Sequence, residues 1–421
     1  RRRKTALTGA VTDTLQPRQD MPVLFQINAT ANRGAIGKIT EIIGEEAISR
    51  GWGSYIAYGR DACDSASRLI RIGSRLNPYL HYASQRVLDN EGLCSGRATA
   101  RLIERIKAIR PDIIQLHDLH DHYLNYRLLF EFLNSTNIPV VWTMHDFWAV
   151  TGHCMNFVSR NCDRFKTGCH DCPMRGEYPK TFFNRSAQNY KLKKQLFGAK
   201  GNLHVVAVSR WVADQLRESF LGDRPIHVIA NGVDTAAFRP CDDPQISSMF
   251  PGKFVILAAA SQWTERKGMK HYLRMSEMLA DDEIIVLVGL NPRFAKRLPH
   301  NIIAVPHTTD TEKLAALYSR ADVVTVMSAA ETFGMTVVEA YACGTPVVVF
   351  DNSAPPSLVN ADPPSGYVAE NQNVESVYAA VKKIRHAGSG SYGRHCRELA
   401  LRKYDKTICA GRYLSLYESL L

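Results

Sequence analysis

The sequence predicts an α/β protein made of two doubly wound parallel sheets, Rossmann-like domains that face each other across a cleft. Three observations carry this. Short apolar strands alternate with helical segments along most of the chain. The chain opens on a strand, a glycine loop, a helix and a second strand, the unit that starts a parallel sheet. The same alternation then starts afresh after the polar stretch Arg-Pro-Cys-Asp-Asp at 239–243.

Taken in order, residues 23–27 are an apolar strand, and 34–37 (Gly-Ala-Ile-Gly) a glycine loop. Residues 39–49 place Ile39, Ile42, Ile43 and Ala47 at helical spacing, and Gly51 stops that helix. Residues 54–58 form the next strand. Apolar runs at 113–116, 140–143, 205–208 and 226–229 continue the first sheet. Those at 254–259, 284–288, 302–305, 323–326 and 347–350 build the second. Residues 362–366 read as a loop, and the Gly/Ser stretch at 389–392 as a breaker before the final helices. The expected division is a basic tail at 1–20, a first domain at 21–240, a second at 241–403, and a helix at 404–421 that packs back on the first domain.

A chain of 421 residues has room for two cores, and 45% hydrophobic with 22% charged residues is ordinary for a globular protein. No apolar run approaches a membrane span in length. The start, Arg1-Arg2-Arg3-Lys4, is basic but is followed by no apolar region, so no signal peptide is expected. The net charge of +11 favours anionic partners. Much of the excess is local: Arg71, Arg75, Arg86, Arg97, Arg101, Arg105, Lys107 and Arg110, with Tyr79, Leu80 and Tyr82 interleaved. That pattern suits either a solvated helix face or a helix lying on an anionic membrane. No nucleic-acid signature accompanies it. Ten cysteines without a signal peptide point to a reducing compartment.

The richest stretch is Glu331-Thr332-Phe333-Gly334 running to Glu339 and on to Gly344-Thr345-Pro346. The spacing predicts a loop ending at Gly334, a helix over 335–343 and a buried strand after it. A helix start presents free N–H groups and partial positive charge, which suit a phosphate or a sugar hydroxyl. Glu331 and Glu339 lie about two turns apart, too far to act as an acid/base pair. They fit two grips on one elongated ligand, or an ordinary capped helix with an exposed glutamate.

His117 and His145 each follow an apolar strand, which puts them at a sheet's carboxyl edge, with Asp118 and Asp146 next to them. Cys154-x7-Cys162-x6-Cys169-x2-Cys172 is the other distinctive signal. A Cys-x2-Cys knuckle with two further thiols fits a structural zinc, with two disulfides or four free thiols as the alternatives.

Several pieces in this order resemble a family-4 retaining glycosyltransferase of the GT-B fold. They are the 34–37 loop, Pro111-Asp112-Ile113-Ile114-Gln115-Leu116-His117, Thr143-Met144-His145-Asp146, Val208-Ser209, Asn231-Gly232-Val233-Asp234, Glu265-Arg266-Lys267-Gly268, Ala321-Asp322, and 331–346. The segment at 142–154 is similar to the subgroup that builds bacterial capsule, exopolysaccharide and lipopolysaccharide.

The resemblance implies transfer of a sugar from a UDP- or GDP-sugar to a saccharide or lipid-linked acceptor, with retention and no catalytic metal. It implies a cytoplasmic enzyme, peripheral at the inner face of the membrane. Arg266 and Lys267 would clamp the diphosphate, and Gly37 would meet it from the first domain. The amides of Phe333, Gly334 and Met335 would hold the sugar or β-phosphate, with Glu331 on the sugar hydroxyls and Glu339 on the ribose. His117 is expected to meet the donor sugar first, and His145 second. Two departures concern the sugar: Met327-Ser328-Ala329-Ala330 replaces the usual Pro-Ser, and 351–356 is not glycine-rich. The rivals are an epimerase or phosphorylase on the same fold, and a non-catalytic saccharide-binding protein.

Overall fold

The computed structural model describes residues 21–421 except Lys296 and Ala361, so the basic tail at 1–20 lies outside the described residues. The first sheet consists of β1 (Val23–Asn28), β2 (Gly53–Tyr58), β3 (Arg68–Arg71), β4 (Ile113–Leu116), β5 (Val140–Met144), β6 (Leu203–Ala207) and β7 (Ile226–Val228). Its order is 3-2-1-4-5-6-7, and every pairing is parallel. The second consists of β8 (Phe254–Ala259), β9 (Glu283–Val288), β10 (Ile302–Val305), β11 (Val323–Val326), β12 (Val347–Phe350) and β13 (Gly366–Ala369). It is again all parallel, in the order 10-9-8-11-12-13.

β4, β5, β11 and β12 are buried along their whole length. That is why they read as unbroken apolar runs: helices cover both faces of a parallel sheet. Each sheet reverses strand order once, between β1 and β4 and between β8 and β11. A crevice opens at such a switch point, outside the carboxyl ends of the strands.

Two strands lack the expected apolar run. β3 (Arg-Leu-Ile-Arg) and β13 (Gly-Tyr-Val-Ala) are edge strands, so one side pairs while polar side chains face water. The glycine stretch expected as a loop is instead the first turn of α1 (Gly34–Ser49). The Gly/Ser stretch expected as a breaker is largely helical: a helix runs Gly390–Leu399, with Tyr392 and Cys396 buried.

The terminal helix Lys406–Glu418 packs against the first sheet, though it follows the second in sequence. Buried Tyr417 donates its hydroxyl to Gln115 Oε1 at 2.8 Å, and the Tyr413 hydroxyl lies 3.1 Å from Thr143 Oγ1. The Asn231–Asp234 motif anchors this return. Val233 N–H donates to Tyr404 O, Lys406 N–H donates back to Val233 O, and Lys406 Nζ pairs with Asp234 at 2.7 Å. No helix among the described residues is long and apolar enough to cross a membrane.

Candidate active site

A cavity opens where the two switch points face each other. The first sheet contributes Ala35 and Ile36 of α1, His145 after β5, and Asn231. The second contributes Ser261, Lys267, Ser328, Glu331 and the run 332–336. Trp263, His307, Thr308, Tyr318 and Glu339 complete the wall.

Local chemistry explains how these groups arrive there. The helix Met335–Ala342 begins after Gly334, whose φ of +110 turns the chain into it. The first N–H groups of a helix have no partner within it, and here they lie at the cavity wall. Glu331 precedes that start, and Lys267 Nζ meets Glu331 Oε1 at 2.5 Å. Gly268 sets the lysine's loop: its φ is +78, and a Cβ there would meet Met327 O at 2.1 Å. Only glycine lets this loop pack on the end of β11.

Glu339 is half-buried and accepts a hydrogen bond from the Tyr318 hydroxyl at 2.8 Å. Burial raises its pKa, opposed by that hydroxyl and by Lys38 of α1 across the cleft. The loop before the helix also ties the halves together. Thr332 Oγ1 donates to His145 O at 2.8 Å, and Ser209 Oγ donates to Thr332 O at 2.8 Å.

The two histidines exchange the places expected of them. His145 lines the cavity, whereas His117 lies behind it in the core. His117 Nδ1 is 3.1 Å from His145 Nε2, and its Nε2 is 3.2 Å from Gln26 Oε1. Burial holds His117 well below the usual imidazole range and brings His145 down to about 4, so both are neutral near pH 7. The reason is the sheet order: β4 is flanked by β1 and β5, so His117, just past the end of β4, meets Gln26 of β1 on one side and His145, just past β5, on the other.

Beside them, His120 lies 2.8 Å from Asp146 Oδ2 and 3.8 Å from Asp118 Oδ1. Burial pulls the His120 pKa down, but the carboxylates of Asp146 and Asp118 outweigh it and hold it at about 10. Burial raises Asp118 to about 7.

Two further expectations change. Arg266 is exposed and does not line the cavity; only Lys267 of the pair turns inward. Gly37 is not at the wall, and a Cβ there would meet Thr30 Oγ1 at 2.7 Å, so its smallness serves packing within the first domain.

The zinc expectation for Cys154, Cys162, Cys169 and Cys172 is not supported. Zn–S bonds of about 2.3 Å in a tetrahedron need sulfurs about 3.8 Å apart. All four line one small cavity, yet no three of these sulfurs lie within 4.8 Å of one another. The loop is held by other means. The neighbouring Cys154 and Cys172 thiols act on each other, which pushes Cys172 below the usual thiol range and Cys154 above it. Phe157 stacks on Phe165 at 4.0 Å, and buried Lys193 donates to Trp148 O and Thr151 O.

Sequence reasoning missed Lys38, Trp263, His307 and Tyr318. None stands in a motif: Trp263, His307 and Tyr318 are singled out by lining the cavity, and Lys38 by its charge acting on Glu339.

Comparison with known proteins agrees with this architecture. Residues 245–398 match the family described as "Glycosyl transferases group 1", and residues 50–237 match "Glycosyltransferase Family 4". The chain is 24% identical over 413 residues to the putative colanic acid biosynthesis glycosyl transferase WcaC of Escherichia coli K12, covering 94% of this chain and all of that one. Among solved structures, sucrose-phosphate synthase from Thermosynechococcus elongatus superposes with a TM-score of 0.71 at 18% identity, over 95% of this chain and 99% of that one. Anabaena HepE in complex with UDP-glucose gives 0.61 at 13% identity, over 94% and 99%.

Proposed function

The chain belongs to glycosyltransferase family 4, retaining enzymes of the GT-B fold, and from that premise we propose that it moves a hexose from a nucleotide diphosphate sugar to a saccharide or lipid-linked acceptor in cell-surface polysaccharide synthesis. The observation that carries this is the cleft. One wall combines a lysine, a helix amino end and two carboxylates, and the facing wall supplies His145.

The division of labour follows from charge. The leaving nucleoside diphosphate gains negative charge as the C–O bond breaks, so positive groups fixed in place speed the step. Lys267 and the amides of Phe333, Gly334 and Met335 supply them. Glu331 neutralises Lys267 in the empty cleft and grips sugar hydroxyls when donor is bound. Glu339 accepts from the ribose hydroxyls. Neutral His145 donates or accepts one hydrogen bond near the anomeric carbon. Arg266, exposed next to Lys267 in sequence, adds only a more distant positive charge. Residues 21–240 hold the acceptor, residues 241–403 hold the donor, and 404–421 join them.

The acceptor class rests on the relationship to WcaC, whose name places it in colanic acid synthesis. The donor class is supported by HepE, solved with UDP-glucose. The reading places the enzyme in the cytoplasm, where nucleotide sugars are made.

The test is a thermal-shift panel of UDP, GDP and their sugars, followed by NMR of the product. A ligand that binds only the folded chain raises its melting point. The expected outcome is stabilisation by one nucleotide series, and an α-linked product from an α-linked donor. No shift with any nucleotide, or a β-linked product, overturns the reading.

A further inference from the structure

A line of buried hydrogen bonds runs from α1 through β1 to the cleft, and it fixes where the histidine protons lie. It starts at Thr40 O, a main-chain carbonyl that can only accept. Gln26 Nε2 donates to it at 2.8 Å, so the Gln26 amide oxygen faces the other way, 3.2 Å from His117 Nε2. That oxygen also only accepts, so His117 Nε2 carries a proton. A neutral imidazole has a single N–H, and burial keeps His117 neutral, so its Nδ1 is a bare lone pair. His145 Nε2, 3.1 Å away, is then the donor, and His145 Nδ1 is left bare.

The opposite order is poor. Turning the Gln26 amide over would set oxygen against oxygen at Thr40. Gln26 and His117 are 0% and 1% exposed, so neither can turn to solvent for a partner. The two rings are 16° from parallel with centres 5.4 Å apart. That separation is about as large as the 3.1 Å N···N contact allows, so the rings meet edge to edge and the N–H lies along the N···N line.

His145 lines the cavity, and with Nε2 turned to the core, Nδ1 is the nitrogen left for a ligand. The bond from Thr332 to His145 O holds this residue beside the loop between Glu331 and the helix start. We infer that Gln26 and His117 are positioning residues that hold His145 as a hydrogen-bond acceptor toward the cleft, and that the group it takes there is a hydroxyl of the transferred hexose. The second half rests on the donor reading given above. A diphosphate oxygen or a sugar carboxylate has no proton to give at neutral pH, and the lone pair repels it. His145 therefore serves the sugar, while Lys267 and the helix amides face the diphosphate. A site built this way discriminates against a sugar that lacks the bonded hydroxyl.

The test is NMR of the full chain carrying ¹⁵N in its histidine rings, in which protonated and bare ring nitrogens resonate far apart. The His145 signals are those lost in His145→Gln. The expected result, without nucleotide at neutral pH, is a proton on Nε2 and a bare Nδ1; a proton on Nδ1 overturns the inference. Gln26→Glu sets a carboxylate beside His117 Nε2, draws a second proton onto that ring and makes its Nδ1 a donor. His145 Nε2 must then accept, its proton should move to Nδ1, and kcat should fall about tenfold or more with the nucleotide thermal shift unchanged. Gln26→Met keeps the volume without a polar atom and should leave the His145 proton shared between the two nitrogens. A His145 proton that stays on Nε2 in whichever of these variants folds shows that Gln26 does not set it, and overturns the inference. Among singly deoxygenated hexose donors, one should lose about tenfold in kcat/KM on the wild type and no more than a trace on His145→Ala. Equal losses on both enzymes for every such donor refute the hydroxyl assignment. The proton positions are read in the ligand-free chain, so their failure is separate from that of the donor reading, which falls instead if no nucleotide raises the melting point.

Discussion

At the scale of single residues, the two histidines test the site most sharply, because they touch each other yet do different work. His117 sits in the core between Gln26 and His145. Replacing it by alanine leaves two buried polar partners short of a hydrogen bond and opens a void, an expected loss of about 2–3 kcal/mol in stability. His145→Ala removes a cavity-lining group and should lower turnover with a smaller change in melting temperature. Denaturant unfolding beside turnover for both variants checks the assignment; a rate loss confined to His117→Ala would reverse it. Lys267→Ala removes the inward cation at the diphosphate position and should cut turnover by about 10²–10³-fold with the fold intact. Arg266→Ala should cost far less, because that side chain is exposed away from the wall. Equal losses from the two would mean that both cations reach the diphosphate.

At the scale of elements, the terminal helix and the loop after β4 each carry a prediction. Tyr417→Phe removes one buried hydrogen bond to Gln115 and should cost about 1 kcal/mol. Deleting 406–421 uncovers the apolar face of α1 and should leave no cooperative unfolding transition, read by circular dichroism. The loop holds His120, whose folded pKa of about 10 lies above its unfolded value near 6.5. The folded state therefore binds that proton more tightly. The stabilisation is complete below about pH 6.5 and is lost as pH rises toward 10. Asp118, raised to about 7, acts with the same sign over a more acidic window. Asp146, whose pKa is lowered, acts oppositely and loses its contribution only in acid. The melting-temperature advantage of wild type over His120→Gln should therefore shrink steadily from about pH 6.5 to about pH 10. An advantage flat across that range would show that His120 is neutral in the folded protein.

At the scale of the whole molecule, the cleft exists only because the two sheets present their switch points to each other. The helix 406–418 and the bonds through Thr332 hold that arrangement. Thr332→Ala removes the side-chain bond to His145 O and leaves both carboxylates and Lys267 in place. It should weaken positioning across the cleft more than donor binding. The expected result is a several-fold drop in kcat with the nucleotide thermal shift unchanged; a lost thermal shift would move Thr332 into the donor site.

The sequence alone determined the fold class and most strands, because a strand buried on both faces must be apolar throughout and its neighbours must be helices. It also determined the helix start after Gly334 and the glutamates on either side, since glycine, turn and periodicity are local signals. Tertiary structure alone decided which member of a motif points inward. Lys267 rather than Arg266, and His145 rather than His117, line the cavity; adjacent residues and equivalent strand ends look alike until the neighbouring strands are placed. The edge strands β3 and β13 were equally invisible, because half of each faces water and leaves no apolar run. The four cysteines showed the same limit from the other side. Their spacing fits a metal, but whether the sulfurs converge depends on the path of the loop, which Phe157, Phe165 and Lys193 set through packing and hydrogen bonds between residues far apart in sequence.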